Sequence, residues 1–247
     1  MDCRSVNLTP TTRLVTVVIE PAHITDINYP MKKITFSHSS LKDFDNCALQ
    51  YYHKRILKDI PDVKGEAATW GERVHKDFEL RMTEGRPLPD YLTHFEPTMN
   101  KFLGYEFKCE WKVCLNDELK PTEWMAADAW LRGILDLFIR ISPTVAAVLD
   151  YKTGKHKDDF DQLKLCALMV FAHEPEVEEV RSGFIWTQSK MVDTEIYYRK
   201  DINKMWEEVI SKIRRVYRAS ESDNWPAKPS GLCNWCGFKP QCPYARK

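Results

Sequence analysis

Two adjacent apolar runs decide the fold: Gly133-Ile-Leu-Asp136-Leu-Phe-Ile-Arg-Ile141 and Val145-Ala-Ala-Val-Leu-Asp150-Tyr-Lys152-Thr-Gly154. Each run has the length of a β-strand, and a Ser-Pro turn separates them. Because alternate side chains of a strand share a face, Asp150 and Lys152 point the same way and Tyr151 points the other. We expect Asp136 to lie opposite Asp150 and Lys152 on the neighbouring strand.

This arrangement of charges suits the hydrolysis of a phosphate ester. Two carboxylates can share a divalent cation, which lowers the pKa of its bound water and neutralises charge on the phosphoryl oxygens. Mg²⁺ and Mn²⁺ prefer oxygen ligands and keep waters of their own, so two or three protein ligands suffice. The stretch therefore predicts a metal-dependent phosphodiesterase in which Asp136, Asp150 and Lys152 are catalytic.

An acid-x-Lys tripeptide is weak evidence by itself, because others occur at Asp62, Glu106, Glu110 and Glu118. The Asp150 strand is favoured because it is almost wholly apolar, as expected of a buried central strand. Residues 105–115 instead alternate charged and apolar side chains, the pattern of a strand with one solvated face. Glu110 is accordingly interpreted as a solvated cross-strand charge, and as the first alternative if Asp150 is not in the site.

Length and charge bound the domain organisation and the partners. The 247 residues predict a core domain over 31–247 with an appendage of unknown role over 1–30. Basic and acidic residues number 36 each, so a nucleic-acid surface would have to be local. The basic second half of the predicted helix 201–220 is one candidate, and a solvated helix face is the alternative.

No run of about 18 apolar residues exists, which predicts no transmembrane helix and no membrane partner. The apolar stretch at 14–19 is short and rich in β-branched residues, which favours a strand over a secretory signal. We therefore expect an intracellular, cytoplasmic protein.

The eight cysteines point to free thiols or metal ligands in such a protein. Cys233, Cys236 and Cys242 form a C-x2-C-x5-C array, and a closed metal site or cubane cluster needs a fourth ligand. Cys47 is the best candidate, in an amphipathic helix over 41–52 with Ser39 or Ser40 as its N-cap. Such a site would tie together the two ends of the core domain.

The order of these motifs resembles the PD-(D/E)XK nuclease superfamily, specifically the RecB-like branch with an iron–sulfur staple, as in AddB and the CRISPR-associated exonucleases. The resemblance runs from about residue 37 to residue 243. The elements that carry it are Cys47, Gly71-Glu-Arg-Val-His75, Gly133-Ile-Leu-Asp136, Asp150-Tyr-Lys152-Thr-Gly154, Gln162 and the C-terminal cysteine array.

The resemblance implies a set of roles. Mg²⁺ or Mn²⁺ is expected at His75, Asp136, Asp150 and Tyr151, and Gln162 is expected to contact the lysine or the metal-bound water. A [4Fe-4S] cluster is expected at Cys47, Cys233, Cys236 and Cys242, with Zn²⁺ as the alternative. His75 lies at the edge of the apolar face of its predicted helix, so a structural role is the alternative for this residue.

Two positions depart from the family pattern. Cys166 stands where a tyrosine usually follows the glutamine by four residues, which questions the DNA contact given to that tyrosine. Leu135 precedes Asp136 where the family name suggests proline. Neither departure affects the predicted metal ligands.

The predicted architecture is α/β, a mixed sheet flanked by helices like a restriction-endonuclease core, closed by the cysteine-rich loop. Helices are predicted near 39–58, 66–84, 90–103, 158–172 and 201–220. Strands are predicted near 105–115, 122–151, 179–188 and 191–199.

The leading functional hypothesis is a DNA exonuclease of replication, recombination or repair that acts on single strands or DNA ends. The chain has no P-loop motif, so ATP-driven unwinding would need a helicase or recombination protein as partner. Two alternatives remain: a catalytically silent nucleic-acid-binding recombination accessory protein of the same fold, and a zinc-binding structural protein whose acids are not catalytic.

Overall fold

A five-stranded sheet forms the centre of the protein, here described from a computed structural model. The strands are β1 (Glu106–Leu115), β2 (Leu131–Ser142), β3 (Val145–Lys152), β4 (Glu179–Trp186) and β5 (Met191–Tyr198), and they lie side by side in that order. β3 and β4 pair in parallel and the other pairs are antiparallel. The predicted mixed sheet is confirmed.

The structure describes residues 34–60, 65–157 and 160–245. The predicted appendage, residues 1–30, lies outside the described residues.

Six helices in the described ranges surround the sheet. They are α1 (His38–Asn46), α2 (Ala48–Tyr51), α3 (Glu66–Glu84), α4 (Glu96–Asn100), α5 (Asp161–His173) and α6 (Ile202–Glu221). A π-helical turn, Tyr52–Leu57, continues α2, and the 3-10 turns Gly231–Trp235 and Lys239–Gln241 carry the C-terminal cysteines. None of the described helices combines the length and the apolar character needed to cross a membrane.

The two faces of the sheet bury different helices. On one face, Val74 and Phe78 of α3 pack against Leu137, Leu149 and Tyr151. On the other, α5 crosses from β3 to β4 and is buried over most of its surface, since α6 covers it from outside. Each fully buried large apolar side chain contributes roughly 1.5–3 kcal/mol, so the strand pair β2–β3 is held from both sides.

Three local features differ from the sequence predictions. The N-cap of α1 is Ser37, neither Ser39 nor Ser40, because Ser37 Oγ accepts from the amide of Ser40 while Ser40 Oγ accepts from the amide of Ser37. Residues 122–130 form turns before β2 begins, with local hydrogen bonds such as Ala129 N to Ala126 O. In the predicted helix 90–103, only a 3-10 turn at Thr93–Phe95 and the short α4 form.

Candidate active site

Two buried carboxylates face each other across β2 and β3. Leu137 pairs with Leu149, so the next positions, Asp136 and Asp150, are opposite. Asp136 is 7% exposed and Asp150 is 4% exposed. Burial raises the pKa of Asp150, and the adjacent Asp136 raises it further. Two adjacent buried carboxylates favour the binding of a cation, because a positive charge reduces their repulsion.

Lys152 and Gln162 close a ring of polar contacts around Asp150. Lys152 Nζ lies 2.6 Å from Asp150 Oδ2 and donates to Gln162 Oε1 at 2.6 Å. Gln162 Nε2 donates to Asp150 Oδ1. The position of Gln162 in the first turn of α5 brings its amide over the end of β3. The structure thus brings together the acid, the lysine and the glutamine.

The carboxylate chemistry of the site suits a divalent cation, although Asp150 lies outside the group of described residues whose ligand atoms fall within 4.8 Å of one another. Asp150 Oδ2 is buried and accepts no well-directed hydrogen bond, although it forms the ion pair with Lys152. Asp136 Oδ2 accepts from the amide of Tyr151 at 2.8 Å, which leaves lone pairs on both of its oxygens. Carboxylate oxygens are the ligands that Mg²⁺ and Mn²⁺ prefer.

His75 reaches the carboxylates from α3. Its Nδ1 lies 3.4 Å from Asp136 Oδ2, and its Nε2 lies 3.0 Å from the carbonyl oxygen of Tyr151. Burial alone would lower the pKa of His75, but hydrogen bonds from the ring to Asp136 and Glu110 outweigh it and raise the pKa to about 10. A metal ion bound at Nδ1 would replace the proton that those acids attract.

Glu110 also lies beside these residues. The sequence predicts it on a solvated face, and its side chain is 36% exposed. Its Oε1 lies 3.7 Å from Nδ1 of His75. His75, Glu110 and Asp136 form the only group of three potential metal ligands in the described part of the chain whose ligand atoms lie within 4.8 Å of one another. Glu110 falls opposite Asp136 in the β1–β2 register, and this pairing is the signal that could have located it.

The backbone of Glu110 is unusual for a strand residue. Its φ is 48°, in the left-handed region that non-glycine residues rarely adopt. The adjacent pairs Cys109–Leu137 and Trp111–Leu135 keep the ladder intact on both sides. Left-handed backbone costs an L-residue roughly 1–2 kcal/mol. The surrounding sheet offsets this cost while the carboxylate is aimed at His75.

Tyr151 contributes its backbone to the site. Its ring points to the opposite face of the sheet and stacks on Phe78, with ring centroids 4.1 Å apart. Its carbonyl oxygen lies beside His75. Any ligand role of Tyr151 therefore falls to the carbonyl oxygen.

The four predicted cysteine ligands line a single cavity, and none of the carboxylates described above lines it. Cys47 lies at the junction of α1 and α2, Cys233 lies in the first C-terminal 3-10 turn, and Cys236 and Cys242 each directly follow one of the two turns. The amide of Lys228 donates to Cys47 Sγ, and the amide of Ser230 donates to Cys233 Sγ, each at 3.4 Å. Amide donors directed at sulfur are typical of thiolate ligands of a metal or cluster.

These thiols do not form a closed zinc site in the described part of the chain. A tetrahedral zinc with Zn–S bonds of about 2.3 Å holds its sulfurs about 3.8 Å apart. In the described residues, no three of the cysteine sulfurs lie within 4.8 Å of one another. Cys109, Cys114 and Cys166 lie in β1 and α5, away from this cavity, and burial raises the pKa of each.

The basic half of α6 is engaged in ion pairs with neighbouring elements. Lys212 contacts Asp161 at the start of α5, and Arg215 contacts Asp45 of α1. The backbone carbonyl of Arg214 accepts from Arg218 Nε. These contacts favour the interpretation of α6 as a structural helix face.

Comparisons with known proteins identify the family and the fold. A family model described as the PD-(D/E)XK nuclease superfamily matches residues 35–243. The crystal structure of SSO0001 superimposes with a TM-score of 0.50 at 13% identity, covering 90% of this chain and 92% of that chain. The crystal structure of a candidate exonuclease from Eubacterium rectale superimposes with a TM-score of 0.50 at 15% identity, covering 98% of this chain and 96% of that one. A search of curated proteins returns no match.

Proposed function

The chain belongs to the PD-(D/E)XK nuclease superfamily, and we propose that within it the protein is a DNA exonuclease that acts on single strands or DNA ends. The observation that carries this proposal is the convergence of Asp136, in the middle of β2, with Asp150, Lys152 and Gln162 at the end of β3, beside His75. The family implies a divalent-metal-dependent hydrolase. The DNA substrate and the action on ends are our proposals.

A divalent cation bound there would activate a water and neutralise charge on the phosphate. We assign its protein ligands to Asp136, Asp150 and the imidazole of His75, with Glu110 as a further carboxylate. The Tyr151 carbonyl oxygen lies 3.0 Å from His75 Nε2, so it would join an ion bound at that nitrogen and not one bound at Nδ1. Buried carboxylates that repel each other in the free protein are suited to this role, since the cation removes their repulsion.

Lys152 and Gln162 act on the reacting groups. The Lys152 ammonium stands beside Asp150, where it can orient an attacking water and attract a phosphate oxygen. Gln162 holds that ammonium through Oε1 and holds Asp150 through Nε2, so it is a positioning residue for both. Positioning of this kind lowers the entropic cost of reaching the transition state.

We also propose a structural [4Fe-4S] cluster at Cys47, Cys233, Cys236 and Cys242. The four thiols line one cavity, and two of them accept amide hydrogen bonds. Such a cluster would join the start of the nuclease core to the C-terminal loop. Its role would be stability, because it lies apart from the carboxylates.

End-labelled DNA gives the direct test of the nuclease. Single-stranded and double-stranded substrates with free or blocked ends are incubated with Mg²⁺ or Mn²⁺, beside the Asp150→Asn variant. We expect progressive loss of label from free ends and no product from the variant. Cleavage of circular or end-blocked DNA at the same rate would indicate an endonuclease, and binding without cleavage by the parent protein would indicate a silent accessory protein.

A role in replication, recombination or repair follows from the proposed action on ends. In such a role the protein would work beside a helicase or recombination protein that supplies single strands. Co-purification of the full chain with such a partner, and stimulation of its digestion of duplex DNA by that partner, would test this association.

A further inference from the structure

We infer that a cleft beside Lys152, here called the basic cleft, receives one unpaired nucleic-acid strand and leads it to the active site. The residues that carry this inference are His38, Arg55, Lys58, Trp124, Arg132 and Lys152, all of which line the cleft. The inference rests on the proposed function, because the strand it names is the substrate.

The basic cleft is large and continuous with the candidate active site. It has a volume of about 910 Å³, near the upper end of the 300–1,000 Å³ that ligand pockets typically have. Lys152 and Gln162 form part of its wall, so a ligand within it lies against the catalytic lysine. Gly133 lies in the same wall. A larger residue there would collide with Met169, because an added Cβ would come within 2.7 Å of Met169 Sδ.

The charged residues that line the cleft are all basic, although two of them are already paired: Arg55 with Asp43 and Lys152 with Asp150. Its wall contains two arginines and two lysines, and none of the described residues that line it is acidic. The whole chain has equal numbers of acidic and basic residues, so this segregation is local. A groove that carries one sign of charge attracts a ligand of the opposite sign, and repeated phosphates are the matching chemistry.

Arg132 and Trp124 offer the two contacts that a single strand uses. The guanidinium carbon of Arg132 lies 5.4 Å from the centre of the Trp124 ring, and Arg132 Nε is buried with no hydrogen-bond partner among the described residues. The indole is only partly buried. Basic side chains beside an exposed aromatic face bind single strands by pairing with phosphate and by stacking a base. Stacking needs an unpaired base, which a duplex does not provide in its interior.

Hydroxyl groups complete the wall near the start of α1. Ser37 and Ser39 line the cleft, and their hydroxyls lie 3.0 Å apart. Hydroxyl groups commonly donate to phosphate oxygens along a strand. Such contacts to the phosphate backbone do not depend on the base sequence, as expected of a nuclease that degrades DNA of any sequence.

Binding without cleavage tests this inference separately from the nuclease proposal. The full chain is mixed with fluorescent oligothymidylate in the absence of divalent metal, and anisotropy is followed as salt is varied. We expect Trp124→Ala to weaken binding about 10-fold and Trp124→Phe to restore most of it, because stacking needs an aromatic face. Arg132→Gln should weaken binding and reduce the salt slope by about one.

The controls use residues outside the cleft and ligands of other shapes. Arg86→Gln removes an exposed cation outside the cleft wall and should bind like the parent. Blunt duplex and thymidine monophosphate should compete poorly. If either one competes as well as the oligonucleotide, or if Trp124→Ala and Arg132→Gln bind like the parent, the inference is wrong. A parent protein that binds the strand in this cleft but never cuts it would leave the inference standing and overturn the nuclease function.

Discussion

The acid–lysine site and the cysteine cavity are built in opposite ways. Asp136, Asp150 and Lys152 project from central strands, and protein groups contact each of them directly. The C-terminal cysteines project from 3-10 turns whose backbone hydrogen bonds are local, such as Cys236 N to Cys233 O. The first region is therefore organised by the sheet, whereas the second has little secondary structure to hold four thiols together.

This difference predicts that the first site is pre-formed and that the second depends on the proposed cluster. The buried sheet keeps the carboxylates in place with or without metal, at an electrostatic cost that metal relieves. The segment that leads to and contains the cysteines contacts the rest of the protein through Trp225, which stacks on Tyr52 at 4.9 Å, through Lys228, which donates to the backbone of Asp45, and through Phe238, which stacks on His53 at 3.6 Å. We expect ligand loss to abolish function in the first region and stability in the second.

The largest expected effect is on cleavage. Asp150→Asn, Asp136→Asn and Lys152→Met should each lower the cleavage rate by about 10³-fold or more, because these groups act as one unit. Their unfolding transitions should remain cooperative by circular dichroism. Lys155→Met, a change to an exposed lysine three residues away, should cut like the parent. Substantial activity in Asp150→Asn would place the catalytic acid elsewhere, first at Glu110.

The cysteine cavity should show the converse result. Serine at Cys47, Cys233, Cys236 or Cys242 should remove the iron and lower the free energy of unfolding by several kcal/mol, because the metal-binding free energy is coupled to folding. Iron content, visible absorption of anaerobically purified protein and thermal unfolding are the measurements.

Serine at Cys109 and at Cys166 provides the matched controls for these variants. Both should keep full iron content, since neither residue lines the cavity. If Cys47→Ser keeps its iron while a control loses it, the ligand assignment is wrong. Purified protein that is colourless and contains zinc would favour the zinc alternative over the iron–sulfur cluster.

Much of the fold was predictable because it depends on long, regular patterns. The apolar runs of β2 and β3 and the periodic face of α6 lie where the sequence places them, since burial dominates such elements. Residues 122–130 were predicted as strand but turn instead, because hydrogen bonds between residues three apart compete with pairing. The N-cap at Ser37 differs for a similar reason, since reciprocal bonds with Ser40 select among neighbouring serines.

The residues of the candidate site were likewise predictable only in part. The shared face of Asp150 and Lys152 follows from strand alternation, and the structure places both beside Gln162. Glu110 was assigned to a solvated face because alternation assumes extended backbone, and its positive φ breaks that assumption. The sequence predicted Tyr151 as a ligand but could not say which of its atoms would bind. Only the structure shows that the carbonyl oxygen lies beside His75 while the ring stacks on Phe78.

A smaller effect is expected at His75, which joins the site from a helix outside the sheet. His75→Ala should raise the Mg²⁺ or Mn²⁺ concentration needed for half-maximal cleavage by about 10- to 100-fold, with a smaller change in rate at saturating metal. The measurement is a metal titration of initial rates. His94→Ala, a histidine outside the site, should titrate like the parent protein. A titration of His75→Ala that overlays that of the parent would make this histidine structural.

The smallest effect is expected at Glu110. Variants of this residue separate the effect of its backbone conformation from the effect of its charge. Glu110→Ala removes the carboxylate but keeps a side chain at φ 48°, whereas Glu110→Gly removes both. Metal affinity, measured by calorimetry, should fall by a similar few-fold factor in the two variants. Glu110→Gly should be more stable to unfolding than Glu110→Ala by about 1 kcal/mol, because glycine adopts this conformation without strain. Equal stability of the two variants would mean that the sheet does not hold Glu110 in a strained conformation, and unchanged metal affinity in both would remove its carboxylate from the site.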